Sequence, residues 1–418
     1  MTELSIRPIR DFSFLDPRVQ DDPYEFYRAL HEQAPVYLVP ETGMYIVSRY
    51  DDLRAMLIDT ETFSNRMDTR LLQGDNWQIY EDIIAASGWP EAHTLNFSDP
   101  PAHTRYRRIA DRIFNARRID AIEPRVVDIL EEVIDGFIDR GECEVVHDLA
   151  FPFVGRVISE QLGLDASEME TYKRWGDAIM LPGARILTPE EIRENAETIL
   201  EMQQFVARQL EERKNDPKDD LISAVAREGA ADAEPLNMAE MQSLMRQFLS
   251  GTYESLVSAI SHGVWLLLRF PDQMAKLRAN PALLKDFVEE SIRFESPVPG
   301  LARIVTRDTE IAGVPIPKGA LVMPRYAAAN HDASKFECPH ILDIERKDKH
   351  HIAFGAGPHI CVGRVLARRE MNAAFAALLR RMDNIELARP LPEMVHIPHM
   401  MLRPMRELHI RFDKVEAR

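Results

Sequence analysis

Along most of the chain, apolar residues recur at the three-to-four-residue spacing of amphipathic helices, broken by short strand-like stretches. The longest periodic segment starts at Asn237, which makes a capping box with Glu240 three residues later. It runs to Phe270 and is stopped by Pro271. Its apolar residues surround it instead of forming one stripe, which predicts a helix buried at the centre of the fold. A second long helix is predicted over Arg364 to Arg381, and helical spacing with short breaks fills Ile122 to Arg213. Strand signals are few. Val36 to Val39 and Met44 to Val47 flank Pro40-Glu41-Thr42-Gly43, a hairpin pattern. Glu310 to Met323, with tight turns at Ala312-Gly313 and Pro317-Lys318-Gly319, predicts a small sheet. Asp51 and Asp52 introduce a short helix over Leu53 to Leu57. Asp177 to Leu187, which contains Pro182 and Gly183, reads as a loop, and Asn215 to Asp220 as a turn between helices.

Composition narrows the function classes. The 418 residues are 45% hydrophobic and 28% charged, an ordinary globular balance without repeats or low-complexity tracts. A net charge of -17 disfavours nucleic acid and anionic membranes as general partners. Three cysteines are too few for a disulfide framework and suit a reducing compartment. Residues 1–20 carry no apolar run of signal or anchor length, and the longest run anywhere, Val264 to Leu268, is far too short to span a bilayer. The expectation is a cytoplasmic protein with no membrane anchor.

Three local patterns break the rules of their surroundings. In the middle of the long helix stand Ser250-Gly251-Thr252-Tyr253-Glu254-Ser255, where an acid, hydroxyls and a glycine are all locally unfavourable. Such violations concentrate at functional sites. Glu290 and Arg293 lie one turn apart on another predicted helix, which alone is a common surface pair. Finally, Phe354-Gly355-Ala356-Gly357-Pro358-His359-Ile360-Cys361-Val362-Gly363 sets a cysteine among glycines directly before a helix. The positive end of that helix favours a thiolate, and the glycines permit sharp turns and close approach of a flat ligand. Cys361 is then a structural cysteine, a zinc ligand with His350, His351 or His359, a nucleophile with His359 as its base, or a ligand to haem iron.

The last reading accounts for the whole string. F-x-x-G-x-x-x-C-x-G matches the haem-binding signature of the cytochrome P-450 monooxygenases at every fixed position, and the chain resembles the soluble bacterial members of that family over essentially its full length. The resemblance implies a mostly α fold with small β-sheets, a triangular prism of helices around a buried haem, as a single domain over residues 1–418. It makes Cys361 the axial ligand of haem b, with Phe354, Gly355 and Gly363 shaping its loop. His103, Arg107, Arg303 and His359 are implied to meet the haem carboxylates. Glu290, Arg293 and Arg346 are implied to form a buried network supporting the cysteine loop.

In the same resemblance, Gly251, Thr252, Glu254 and Ser255 fall on the oxygen-activating motif [Ala/Gly]-Gly-x-[Asp/Glu]-Thr. Thr252 stands where a second glycine is usual, and Ser255 replaces threonine. Thr252 either narrows the oxygen groove or shares the proton relay with its own hydroxyl. The substrate pocket is expected to draw on Trp77, Ile83, Met180, Gln247, Phe248, Val298, Leu301, Met400 and Met401. Arg66 or Arg70 offers a cation for a carboxylate instead.

Six arginines against one acid between Arg105 and Arg118 suggest a docking face for an acidic electron donor. The implied chemistry is insertion of one atom of O2 into a hydrophobic substrate. Electrons would come indirectly from NAD(P)H through a separate iron–sulfur ferredoxin and ferredoxin reductase, with the enzyme a monomer. A haem-thiolate peroxygenase or isomerase, and a haem-binding sensor without turnover, are the rival classes; the Glu254-Ser255 pair argues against both.

Overall fold

The structure, a computed structural model, describes residues 6–67, 69–163 and 168–415. The chain divides into two compact units. One comprises Met1–Asn65, Leu130–Ala150 and Ser255–Arg418, and the other Arg66–Ile129 and Phe151–Glu254. Among the described residues, no helix is long and apolar enough to cross a membrane.

The second unit is helical. Its chain runs through Gln78–Ser87, Ala102–Ile113, Phe151–Gln161, Met169–Ala184, Pro189–Asn215 and Leu221–Ala230. It also holds the first half of the long helix Met238–Arg269, up to Glu254. That helix starts where the sequence predicts: Glu240 N–H donates to Asn237 Oδ1 at 3.0 Å, and Asn237 N–H to Glu240 Oε2 at 2.9 Å. Pro189–Asn215 carries a second capping box between Thr188 and Glu191, with proline at its first turn. A Cβ on Gly88 would stand 2.4 Å from Gln203 Oε1, so a side chain there would displace the Gln203 amide. There Trp89 both donates to and accepts from that amide, at 3.0 and 2.8 Å.

The expected loop at Asp177 to Leu187 is instead mostly helix, because Met169–Ala184 continues through Pro182. In a helix the carbonyl of Ala178 would be met by the N–H of residue 182, which proline lacks. Asn195 Nδ2 supplies the donor instead, 2.6 Å from Ala178 O. Gln73 Nε2 then donates to the carbonyls of Pro182 and Arg185 at 2.6 and 2.8 Å, which satisfies the end of the helix.

The first unit holds the sheets. Five strands run in the order Val36–Leu38, Tyr45–Val47, Leu321–Pro324, Arg303–Val305, Phe63–Ser64. The predicted hairpin is the edge pair, with Val36 opposite Val47, and Gly43 takes the turn at φ +69°. Val47, Leu53, Leu57, Phe63, Val305 and Val322 pack into the core behind this sheet. A second sheet orders Glu142–Glu144, His409–Lys414 and Met382–Leu387. The hairpin Thr309–Ile311 with Val314–Ile316 stands alone as a two-stranded sheet.

A buried charge network lies beneath the segment leading to Cys361. Glu290, on the helix Leu284–Phe294, is 1% exposed, as is Arg293 one turn later. Arg293 donates to both Glu290 oxygens at 2.8 Å. Arg346 Nε, from the segment before the cysteine loop, reaches both oxygens at 3.1 Å. The remaining guanidinium N–H groups go to backbone carbonyls: Arg293 to Asn330 and Pro339 at 2.7 and 3.0 Å, Arg346 to Glu337 and Ile341 at 2.5 and 2.9 Å. Asn330, so held, accepts from the Ile352 N–H at 2.9 Å, two residues before Phe354.

Removing one partner strands buried charge, so Glu290→Gln or Arg293→Ala should cost about 3–5 kcal/mol. Arg293→Lys should also destabilise, since an ammonium cannot reproduce the fork. The urea midpoint of each variant measures this, and an unchanged midpoint in Glu290→Gln would remove the network from its anchoring role.

Candidate active site

The cysteine loop is bound at each of its turns. Gly355 N–H donates to Ile352 O and Cys361 N–H to Phe354 O, both at 2.9 Å. Gly355 and Gly357 adopt φ +73° and +68°. At Gly357 a Cβ would lie 2.6 Å from the Leu57 carbonyl, so the loop passes too close to the helix Tyr50–Ile58 for any other residue. The helix Arg364–Arg381 then begins with the bounds the sequence predicts. Cys361 lies three residues before it, exposed and in no disulfide. A Cβ on Gly363 would come to 4.0 Å from Cys361 Sγ, ordinary contact with the sulfur.

A second set of bonds, which sequence reasoning missed, fixes the loop from Glu289. Arg368 donates to its two oxygens at 2.5 and 2.8 Å, and His351 Nε2 lies 3.2 Å from Oε2. Burial pushes the Glu289 carboxyl up, but the bonds from Arg368 and His351 outweigh it and hold it at about 2. The Arg368 guanidinium stands 4.4 Å from the centre of the Phe354 ring. The available signal was the spacing: Arg368 lies one turn into the helix that follows the loop, and Glu289 one residue from Glu290.

Arg303 opens its strand with Nη1 donating to the carbonyls of Leu301 and Ala302, at 3.0 and 2.9 Å. Leu301 just before it is 39% exposed, and Val298 is half-buried. His359 lies in the short turn Gly357–His359 before Cys361. Met400 and Met401 are half-buried, and His399 Nδ1 accepts from the Met401 N–H at 3.1 Å.

In the second unit, Glu254 sits largely buried beside Asp177 and Lys173. Burial and the like charge of Asp177 raise its carboxyl to about 7, against a smaller opposing pull from Lys173. Gly251, one turn earlier, is exposed, and among the described residues no atom apart from its chain neighbours and its own helix backbone lies within 4 Å of where its Cβ would be. Thr252 Oγ1 donates to its own helix at Phe248 O, 2.8 Å away, so its proton is occupied locally. His103 is buried on Ala102–Ile113, where burial and the neighbouring Arg107 lower its basicity. Arg107 bonds Asp111 at 2.9 Å.

Trp77 is buried and stacks on Tyr80 at 4.3 Å, Phe248 meets Phe114 edge-on at 5.0 Å, and Ile83 and Met180 are half-buried. Gln247 does not behave as an available pocket side chain. Its amide nitrogen donates to Thr94 Oγ1 at 2.7 Å and its oxygen accepts from Asn96 N–H at 2.7 Å, so it braces the 94–96 segment. Arg70 is paired with Glu81 and Gln78. The arginine-rich run is also internally engaged: Arg105 and Arg108 bond Asp232 at 3.2 and 2.8 Å, Arg105 bonds Glu240 at 2.8 Å, and Arg112 bonds Glu228 at 2.7 Å. The acids that neutralise this face lie more than a hundred residues further on, and a docking role for it loses its support.

Comparison with known proteins agrees with this geometry. The family profile described as Cytochrome P450 matches residues 185–404. The chain is 33% identical to the 6-deoxyerythronolide B hydroxylase of Saccharopolyspora erythraea, over 94% of this chain and 96% of that protein. It is 31% identical to the cytochrome P450 monooxygenase PikC of Streptomyces venezuelae, over 97% of this chain and 95% of that one. The crystal structure of P450BioI with an acyl carrier protein bearing hexadec-9Z-enoic acid superposes with a TM-score of 0.85 at 28% identity, covering 94% of this chain and 100% of that one. A chain with this cysteine loop, this fold and these relatives belongs to the cytochrome P450 family, the haem-thiolate monooxygenases.

Proposed function

We propose that this monooxygenase acts on a neutral hydrophobic molecule, and that Glu254 and Ser255 deliver the protons its chemistry consumes. Electrons come from NAD(P)H through an iron–sulfur ferredoxin and its reductase. The enzyme works as a cytoplasmic monomer, its residues 1–418 forming one catalytic domain.

The observation that carries the substrate reading is the state of Arg70. A carboxylate-bearing substrate would need a cation near the apolar candidates Trp77, Ile83, Met180 and Phe248; of the two candidate arginines, Arg70 is already neutralised by Glu81 and Arg66 is exposed to solvent. The relative crystallised with a hexadecenoic acyl group is consistent with an apolar substrate portion.

Cys361 fits a haem ligand on its surroundings: an exposed sulfur, glycine beside it, and a loop bound at both ends. When bound, the haem supplies the one-electron steps and dioxygen activation, and a thiolate ligand donates electron density that favours O–O cleavage. The chain contributes binding and protons. Cys361 anchors the group; Phe354, Gly355 and Gly363 allow it to approach the backbone. Arg303 and His359, and from the second unit His103 and Arg107, are assigned to its carboxylates. Gly251 leaves open space on its helix. Glu254, with its carboxyl raised to about 7, is protonated in a substantial fraction of molecules at neutral pH, and the Ser255 hydroxyl passes that proton on. Thr252, whose hydroxyl hydrogen is engaged with Phe248 O, can only accept.

Coupled product formation should therefore fall as pH rises through about 7, because the proton on Glu254 is lost. Glu254→Gln should lower coupled turnover on the order of a hundredfold and flatten the profile. Asp177→Asn removes the like charge and should move the inflection to lower pH. The same inflection in Glu254→Gln would end the assignment. For the substrate, neutral hydrophobic compounds should shift the ferric spin state, and Arg70→Gln should leave their affinities within about twofold, as expected for a residue making no substrate contact. A spin shift produced by carboxylates alone would reverse that reading.

A further inference from the structure

A cluster of ligand-type side chains lies in the first unit, built from residues that the oxygen chemistry does not use. His262 stands on the last third of the helix Met238–Arg269, Glu295 directly follows the helix Leu284–Phe294, and His396 lies in the turn before the last strand. They are 1%, 1% and 2% exposed. One ligand atom from each falls within 4.8 Å of the others. The two imidazole rings sit 5.2 Å apart, centre to centre.

The hydrogen bonding around the cluster leaves three ring nitrogens without a partner in full hydrogen-bond geometry. His396 Nδ1 lies 3.0 Å from Asp21 Oδ1, and a carboxylate can only accept, so Nδ1 carries the proton and Nε2 bears the lone pair. Among the described residues, Nε2 of His396 and both ring nitrogens of His262 meet no partner in hydrogen-bond geometry. The carbonyls of Glu295 and Arg403 lie near enough to favour a charged His262, but burial, then His396 and Arg403, outweigh them. Burial, with Arg403, likewise keeps His396 neutral. Leaving such atoms buried and unmet costs on the order of 1–3 kcal/mol each.

Glu295 is oriented from its outer side. Arg403 Nε donates to Oε2 at 2.8 Å, and the Tyr24 hydroxyl donates to Oε1. Tyr24 is pushed well above its usual range by burial and by Glu295, so it stays a neutral donor. The charged groups facing the cluster are Glu295, Asp21 and Arg403, one negative charge in excess.

We propose that His262, Glu295 and His396 bind a divalent transition ion of the zinc type, with Asp21 as the outer carboxylate that orients His396. Two imidazoles and a carboxylate are a zinc donor set, and a carboxylate behind a ligating histidine is its usual support. Donor atoms around tetrahedral zinc stand about 3.3 Å apart, so the three side chains need close in by only an ångström or so. The ion would tie the end of the long helix to the segment after Leu284–Phe294 and to the 396 turn. A buried water bridging the same atoms is the competing occupant.

The test is the metal content of the haem-loaded protein from zinc-supplemented cells, after gel filtration in chelator. We expect about one zinc per chain alongside the iron. His262→Asn and His396→Phe should each lower it roughly tenfold while iron content stays unchanged. If either variant fails to fold, zinc-edge X-ray absorption on the unaltered protein should show two nitrogens and an oxygen at about 2.0–2.2 Å. Less than about a tenth of a zinc per chain in the unaltered protein, or equal zinc in the variants, would overturn the site and leave the water.

Discussion

A single buried carboxylate organises the ground on which the cysteine loop stands. Glu290 is gripped by Arg293 from its own helix and by Arg346 from the chain leading to the loop. Those two guanidiniums then bind the carbonyls of Asn330, Pro339, Glu337 and Ile341. Buried charge is tolerable only when paired and fully hydrogen-bonded, so the network fixes backbone as the condition of its own existence. Through Asn330 and the Ile352 N–H that constraint passes into the residues before Phe354. A ligand set must hold its geometry closely, and a cysteine on an unsupported glycine-rich loop would not.

Two other glutamates show how environment divides one chemistry into different tasks. Glu289 sits beside Glu290 but faces Arg368 and His351, and stays ionised down to about 2 as a strut for the loop. Glu254 is largely buried with Asp177 as its strongest charged influence, and its carboxyl is raised to about 7. A group poised near neutrality can exchange a proton during turnover, whereas one held far below it cannot. The side chain is the same in each case. The partners decide.

Much of this was legible in the sequence where the cause is local. The capping box at Asn237, the helix Arg364–Arg381, the hairpin around Gly43 and the Cys361 string all depend on residues within one turn of each other. Where the cause is remote, the reading failed. Pro182 and Gly183 looked like helix breakers because the donor that replaces the missing N–H comes from Asn195. The arginines of Arg105 to Arg112 looked available because Glu228, Asp232 and Glu240 are far along the chain. Gln247 looked like a pocket residue because its partners, Thr94 and Asn96, are over 150 residues earlier. The His262–Glu295–His396 cluster left no trace in spacing, since its members come from three distant segments.

The account rests on Cys361 binding haem iron as a thiolate. Reduced protein exposed to carbon monoxide reports that bond directly, because an anionic sulfur ligand moves the main absorption band well to the red of a histidine-ligated haem. The red-shifted band should be present in the unaltered protein and absent in Cys361→Ala. Its absence from the first, or its survival in the second together with turnover, would contradict the account.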